Sequence, residues 1–184
     1  MEKIILGIAG EIAAGKGTVA KYLVDSCGAS THRFSTALRD VAKRMYLEES
    51  RENLQKISTL MRDNFDEDIL SMVIYKDVEK DSHEIIAIDG VRRMSDIVFL
   101  EKIPEFKLIY IETDLKTRYE RITKRAENVD DGEKTFDEFK KDNKREAETQ
   151  IKYLKDEADY VIDNNGKLED LYRQVDDIIN KCKV

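Results

Sequence analysis

Nine residues near the start of the chain, Gly10-Glu11-Ile12-Ala13-Ala14-Gly15-Lys16-Gly17-Thr18, leave few folds open to it. They spell G-x-x-x-x-G-K followed by Gly-Thr. The preceding stretch, Ile4-Ile5-Leu6-Gly7-Ile8-Ala9, is an unbroken apolar run suited to a strand buried on both faces. The following stretch, Val19-Ala20-Lys21-Tyr22-Leu23-Val24, has apolar residues at helical spacing. Strand, glycine loop and helix together form the setting in which backbone N–H groups converge on phosphate oxygens. Glycines allow the curl, and the helix beginning near Lys16 adds the positive end of its dipole. Lys16 supplies a mobile charge for the outer phosphates, and the Thr18 hydroxyl can serve phosphate or a Mg²⁺ shell. An ordinary tight turn is the bland alternative. It leaves the coincidence of glycines, lysine, threonine and both flanks unexplained.

The rest of the chain sets bounds. Its 184 residues suit a single domain with a sizeable core, and 41% hydrophobic residues are enough to fill one. Charged residues reach 39%, and the single proline argues against adaptation to heat by loop stiffening. A net charge of −7 makes a nucleic-acid partner unexpected. Cys27 and Cys182 show neither pairing nor metal spacing, which suits a reducing cytoplasm. His32 and His83 stand apart in sequence and are expected at the surface or in packing. No apolar run approaches the length of a membrane span, and no signal peptide is expected.

Strand patterns recur near 3–9, 32–34, 84–89, 106–111 and 159–162, each followed by helical periodicity. Gly28 is placed to end the first helix. Ser35 or Thr36 can cap a second one carrying Leu38, Val41, Ala42 and Met45 inward. Arg39 lies one turn into that helix, at the strand edge where parallel α/β sheets bind ligands. From Arg51 to Glu79 the pattern is helical, broken near Asn64–Asp68, with Asp66 as a possible second cap. Gln55, Arg62 and Asp68 are polar positions there that can face a substrate or simply water.

The third strand ends in Asp89, a carboxylate suited to a Mg²⁺ shell or to orienting an attacking oxygen. Arg92 and Arg93 follow at the same edge, with the planar fork that fits phosphate. A further helix is expected over Asp96–Leu100, closed by Pro104. After the fourth strand, Arg118, Arg121 and Arg125 lie on one helical face, a like-charged stripe that calls for nearby anions. Residues 127–134 read as a loop, Phe136–Tyr153 as a charged helix, and 168–179 as the closing amphipathic helix. Alternating strands and helices predict a three-layer α/β/α fold around a parallel sheet.

On these residues the chain resembles the P-loop kinases of small phosphorylated metabolites over nearly its full length. Gly10–Thr18 is similar to the adenylate kinase loop, with Ala13 where glycine is usual and Ile12 where proline is common. Phe34-Ser35-Thr36-Ala37-Leu38-Arg39 resembles the segment that offers an arginine to the acceptor's phosphate. It is shorter than in adenylate kinase and closer to phage-type deoxynucleoside monophosphate kinases. Asp89-Gly90-Val91-Arg92 resembles the Asp-Gly-x-x-Arg stretch of nucleoside monophosphate kinases, one residue shorter. Arg118, Arg121 and Arg125 resemble lid arginines. Ala158–Gly166 and Leu168–Leu171 are similar to dephospho-coenzyme A kinases and to a group of archaeal adenylate-kinase-like proteins. Phe136–Phe139, Asp142 and Arg145 also resemble that archaeal group.

The resemblance implies a P-loop NTPase fold with sheet order 2-3-1-4-5, an acceptor-binding helical region over about 36–80 and a helical lid over about 115–150. It implies ATP and Mg²⁺ as cofactors, with Gly10, Ala13, Ala14, Gly15, Lys16, Gly17, Thr18 and Val19 on the phosphates. Asn164 and Gly166 would border the adenine. Thr18 and Asp89 would serve the metal, and Lys16, Asp89, Arg118, Arg121 and Arg125 the transfer. Arg39, Arg62 and Arg92 would hold the acceptor. The expected reaction is phosphoryl transfer to a nucleoside or deoxynucleoside monophosphate. Dephospho-coenzyme A is the alternative acceptor, with Asp89 free to act as base, and a nucleotide-dependent switch is the alternative of another class. No Asn-Lys-x-Asp guanine motif supports a GTPase. The partner is a small molecule, not nucleic acid or membrane, and the sequence does not choose between monomer and homodimer.

Overall fold

The computed structural model describes residues 3–125, 135–143 and 146–183. Strands β1 (Ile4–Ala9), β2 (Ser30–Arg33), β3 (Ile85–Val91), β4 (Phe106–Glu112) and β5 (Tyr160–Asp163) form one parallel sheet in the order β2-β3-β1-β4-β5. Every neighbouring pair is parallel, so each connection must cross a face of the sheet. β1 lies at the centre with all six residues buried, which is why its sequence is apolar without alternation.

Successive side chains leave opposite faces of a strand. Ile4, Leu6 and Ile8 of β1 join Ala87, Ile109, Ile111 and Ile162 on one side. There they meet α1 (Lys16–Cys27) and α8 (Leu168–Cys182) through Val19, Leu23, Leu171, Val175 and Ile178. On the other side Ile5, Ile86, Ile88, Leu108 and Tyr110 pack with α2 (Phe34–Arg44), α3 (Arg51–Asn64), α4 (Ile69–Lys80) and α7 (Glu146–Asp156). The remaining described helices are α5 (Leu115–Arg125) and α6 (Phe136–Asp142). No described helix is long and apolar enough to cross a membrane.

Several local expectations change. α2 starts at Phe34 with Arg33 in the cap position and no side-chain cap, so Ser35 and Thr36 fall inside its first turn. Phe34 and Leu38 are both buried at helical spacing, and burial of Phe34 sets the start. Asp66 gives only its carbonyl to the Ile69 N–H, and Asp68 occupies the cap of α4 without a side-chain bond. The helix expected over 96–100 is a pair of 3-10 turns, Met94–Asp96 and Leu100–Lys102. Buried Ile97 and Leu100, three residues apart, match that tighter winding. The single helix expected over 136–153 is instead α6 and α7. Gly28 does end α1, at φ 67° with its N–H on the Leu23 carbonyl.

The two histidines are not isolated. At the sheet edge opposite the glycine loop, Asp81 receives His32 Nε2 and His83 Nδ1, each at 2.7 Å, together with the Ser30 hydroxyl. Burial by itself would raise the Asp81 pKa. The bonds from Ser30, the His83 N–H and both imidazoles outweigh it and hold the carboxyl well below its usual range. A carboxyl depressed in the folded state stabilises the fold above its unfolded value, and that contribution is lost as pH falls through the folded one. Wild-type stability to urea is therefore expected to decline from about pH 4 downward, and an Asp81→Asn variant to decline less steeply. Gly7 supplies a second test, because a Cβ there would stand 2.7 Å from the ring of buried Phe106. Gly7→Ala should cost about 1–3 kcal/mol, read as a lower urea midpoint at unchanged slope, and a compensating Phe106→Leu should recover part of it.

Candidate active site

The site is built where β1 hands over to α1. Three left-handed residues turn the chain: Gly10 at φ 148°, Ala13 at φ 60° and Gly15 at φ 109°. Two of these also lack room for a side chain. A Cβ on Gly10 would lie 2.7 Å from the Ile111 carbonyl, and one on Gly15 would run into Asn164 Nδ2. Ala13, standing where glycine is usual, holds a conformation that costs an L-residue about 1–2 kcal/mol. α1 then begins with Gly15 in the cap position, no side-chain cap and no acidic residue in its first turn. Its positive dipole end thus faces the loop with no acidic residue of its own first turn against it. Lys16 Nζ folds back onto the carbonyls of Gly10 and Glu11, the latter at 3.0 Å.

The loop is fastened from behind. The Ala14 carbonyl accepts Thr113 Oγ1 at 3.0 Å and Asn164 Nδ2 at 2.7 Å. Both donors are buried and sit just past the ends of β4 and β5. Arg118 adds a third attachment and is only 3% exposed. Its Nη2 meets Glu11 Oε2 at 3.0 Å, and its Nη1 donates to the Ile12 carbonyl at 3.2 Å and to Asn143 Oδ1 at 2.7 Å. Its Nε donates to the Thr113 carbonyl at 3.1 Å. One buried guanidinium therefore joins the loop, the turn after β4 and the end of α6.

Across the same sheet edge stands Asp89, in register with Ile8 of β1. The register then skips from Ile8↔Asp89 to Ala9↔Val91, a bulge that leaves Gly90 unpaired at φ 90°. Such bulges re-aim side chains at strand ends. Arg33 Nε lies 3.3 Å from Asp89 Oδ2. Arg39, on α2, pairs with Glu49 at 3.0 Å with 45% of its side chain exposed. Arg92 is exposed beyond the bulge.

The sequence-derived site residues divide accordingly. Gly10, Ala13, Ala14 and Gly15 lie in the loop, Lys16, Gly17 and Thr18 open α1 directly after it, and Asp89 and Arg92 share its edge. Val19 is a correction: its side chain is fully buried in the core and its N–H bonds the Gly15 carbonyl, so it presents nothing to a ligand. Arg118 is likewise a holding residue, and its compensating anion is Glu11, far upstream. Arg121 donates through Nη2 to the Asn164 carbonyl at 2.8 Å, while its Nη1 is buried without a partner among the described residues. Burial lowers its pKa. Asn164 braces the loop with its side chain, and Gly166 is exposed in the following turn. Arg62 is committed to Asp96, not open to an acceptor. The Arg125 side chain, Asp142's side chain, Arg145 and 126–134 lie outside the described residues.

Sequence reasoning missed Glu11, Arg33, Asp96, Thr113 and Asn143. Thr113 carried a usable signal, standing at the carboxyl end of a strand beside the loop strand. A nucleotide's phosphates fit this cradle, where Gly10 and Gly15 leave no space for side chains and the helix start is uncapped. Among the described residues no three His, Cys, Asp or Glu side chains gather to hold a metal unaided. Mg²⁺ commonly takes one or two protein ligands and completes its shell with phosphates and water. Exposed Thr18 and partly buried Asp89 suit that division.

Comparison with known proteins agrees with this geometry. A protein of Staphylothermus marinus described as a UPF0200 protein is 28% identical over 181 residues, covering 98% of this chain and 94% of its own. One of Hyperthermus butylicus with the same description is 24% identical over 179 residues, covering 97% and 95%. Among solved structures, shikimate kinase from Bacteroides thetaiotaomicron superposes with a TM-score of 0.63 at 12% identity, over 98% of this chain and 99% of that one. A gluconokinase from Sinorhizobium meliloti gives 0.58 at 11% identity, over 98% and 94%. These likenesses establish the fold as that of P-loop kinases. The model of the family described as an AAA domain matches residues 7–140, so the chain belongs to that family, within the P-loop kinase-like superfamily.

Proposed function

We propose that the protein transfers the terminal phosphoryl group of ATP to a nucleotide or nucleotide-like acceptor, foremost a nucleoside or deoxynucleoside monophosphate. One observation carries this reading: the glycine loop with its uncapped helix start shares a sheet edge with Asp89, Arg39 and Arg92. Bound ATP with Mg²⁺ would supply the transferable group and most of the charge to be stabilised. The loop N–H groups hold that charge from one side, and Lys16, on a flexible stem, leaves its carbonyl partners for the outer phosphates. Thr18 and Asp89 serve the metal. Arg39 is joined to Glu49 by an exposed pair of the kind worth little in water, so it exchanges readily onto an acceptor phosphate, and exposed Arg92 can join it. Arg118 acts through the loop, and Arg121 lies closest to the Asn164 turn.

A hydroxyl acceptor, such as dephospho-coenzyme A, is the second reading. Its support is the naming of the solved neighbours as shikimate kinase and gluconokinase, together with the resemblance around Ala158–Gly166. Asp89 would then take the proton of the attacking hydroxyl.

The test is ADP formation with Mg²⁺ and ATP against nucleoside and deoxynucleoside monophosphates, dephospho-coenzyme A, shikimate and gluconate. Stimulation by one acceptor is expected. Nucleotide binding without stimulation by any would favour a nucleotide-dependent switch. Lys16→Ala should lower kcat/KM by about 100-fold or more with an unchanged melting temperature; an active, folded variant would contradict the mechanism. Gly15→Ala, forced against Asn164, should lose nucleotide binding in a calorimetric titration while keeping its far-ultraviolet circular dichroism.

A further inference from the structure

Helix α3 and the loop after β3 meet at a buried ion pair that the phosphate chemistry leaves unused. Arg62 Nη2 lies 2.7 Å from Asp96 Oδ1, with the two side chains 9% and 4% exposed. Arg62 Nη1 also donates to Ser95 Oγ at 3.1 Å and to the Glu67 carbonyl. The second carboxylate oxygen, Asp96 Oδ2, accepts the backbone N–H of Arg92 at 2.9 Å and of Arg93 at 3.1 Å. One carboxylate thus ties the backbone of the two arginines beyond the Gly90 bulge to a guanidinium near the end of α3.

Stability alone explains this arrangement poorly. A buried ion pair is often matched or surpassed by apolar residues of the same volume. Here Arg62 Nε is also buried with no partner among the described residues, which adds an unsatisfied donor. What the pair does supply is a fixed relation between two segments. The arginine loop has no helix or strand of its own at Arg92 and Arg93, so its backbone direction depends on Asp96. Helix α3 offers the other half: Glu52, Gln55, Thr59 and Leu60 lie along its exposed face. Gln55 and Thr59 stand two turns and one turn before Arg62 on neighbouring stripes.

We propose that Arg62 and Asp96 are positioning residues for the acceptor. Together they hold the Arg92–Arg93 backbone in the orientation that faces the acceptor anion, and they couple that loop to helix α3. This rests on the kinase reading above and assigns Arg62 a part other than direct contact with the acceptor. Asp96→Asn withdraws the charge from both N–H bonds and from the pair. Arg62→Met removes the guanidinium while keeping most of the volume, and Arg62→Lys keeps the charge without the fork.

The experiment compares these variants with the full-length wild type in two ways. The first is amide hydrogen exchange resolved at Arg92 and Arg93, with β1 amides as the internal reference. Exchange at both positions should quicken by about tenfold or more in Asp96→Asn, with β1 unchanged. The second is steady-state kinetics, where the acceptor KM should rise by about tenfold in Asp96→Asn and Arg62→Met. The ATP KM should stay within about twofold, with Arg62→Lys intermediate. Unchanged exchange at Arg92 and Arg93 would overturn the proposal, as would acceptor and ATP KM rising together. A wild type that transfers to no acceptor would defeat the kinase reading and the acceptor role with it. The exchange measurement would still decide whether the pair holds the loop.

Discussion

The backbone carbonyl of Ala14 is the point on which the site depends. It is fully buried in the middle of a loop that must curl through three left-handed residues, and a buried carbonyl without partners would penalise that curl. Thr113 and Asn164 meet it from the ends of two adjacent strands. The sheet therefore dictates where the loop sits: β4 brings Thr113, β5 brings Asn164, and both are held in register with β1 through β4. Arg118 extends the same fastening outward to Asn143 in the following helical segment. The strain carried by Ala13 persists because its neighbours are fixed on every side.

Charge is distributed along this edge in a consistent way. Two carboxylates near the loop are matched to arginines, Glu11 to Arg118 and Asp89 to Arg33. An entering polyanion therefore meets these two carboxylates already paired, despite an acidic chain overall. The pairs differ in exposure, and that difference separates their roles. Arg118 is sealed and structural, whereas Arg33 and Arg39 are largely in water and can change partners at little cost.

Much of this was legible in the sequence because it is local. The apolar run of β1, the glycine pattern and the helical spacing after Lys16 lie within some twenty consecutive residues, and each reports its own conformation. The five strands were found for the same reason, and Asp89 stood out as the polar end of an apolar run. What escaped was long-range. Glu11 read as an unremarkable loop residue because its partner, Arg118, lies far along the chain. Asp96 resembled the acidic first turn of a helix, and only the folded chain brings Arg62 and two backbone N–H groups onto it. The arginines of α5 formed a stripe on paper. In the fold, Arg118 and Arg121 leave that stripe for separate partners, since one neighbours the loop and the other the turn after β5. His32 and His83 looked solitary because Asp81, which joins them, belongs to the end of a helix between them in sequence.

The account stands on the loop from Gly10 to Thr18 being a preformed phosphate site. Its most direct test is a titration of the isotope-labelled protein with a non-hydrolysable ATP analogue and Mg²⁺, followed through backbone amide resonances. The largest shifts should fall on Gly10 to Thr18, with smaller ones at Asn164 and Asp89, and β2 and α4 should stay still around Asp81. Binding that leaves the loop amides unmoved, or no binding at all, would contradict it.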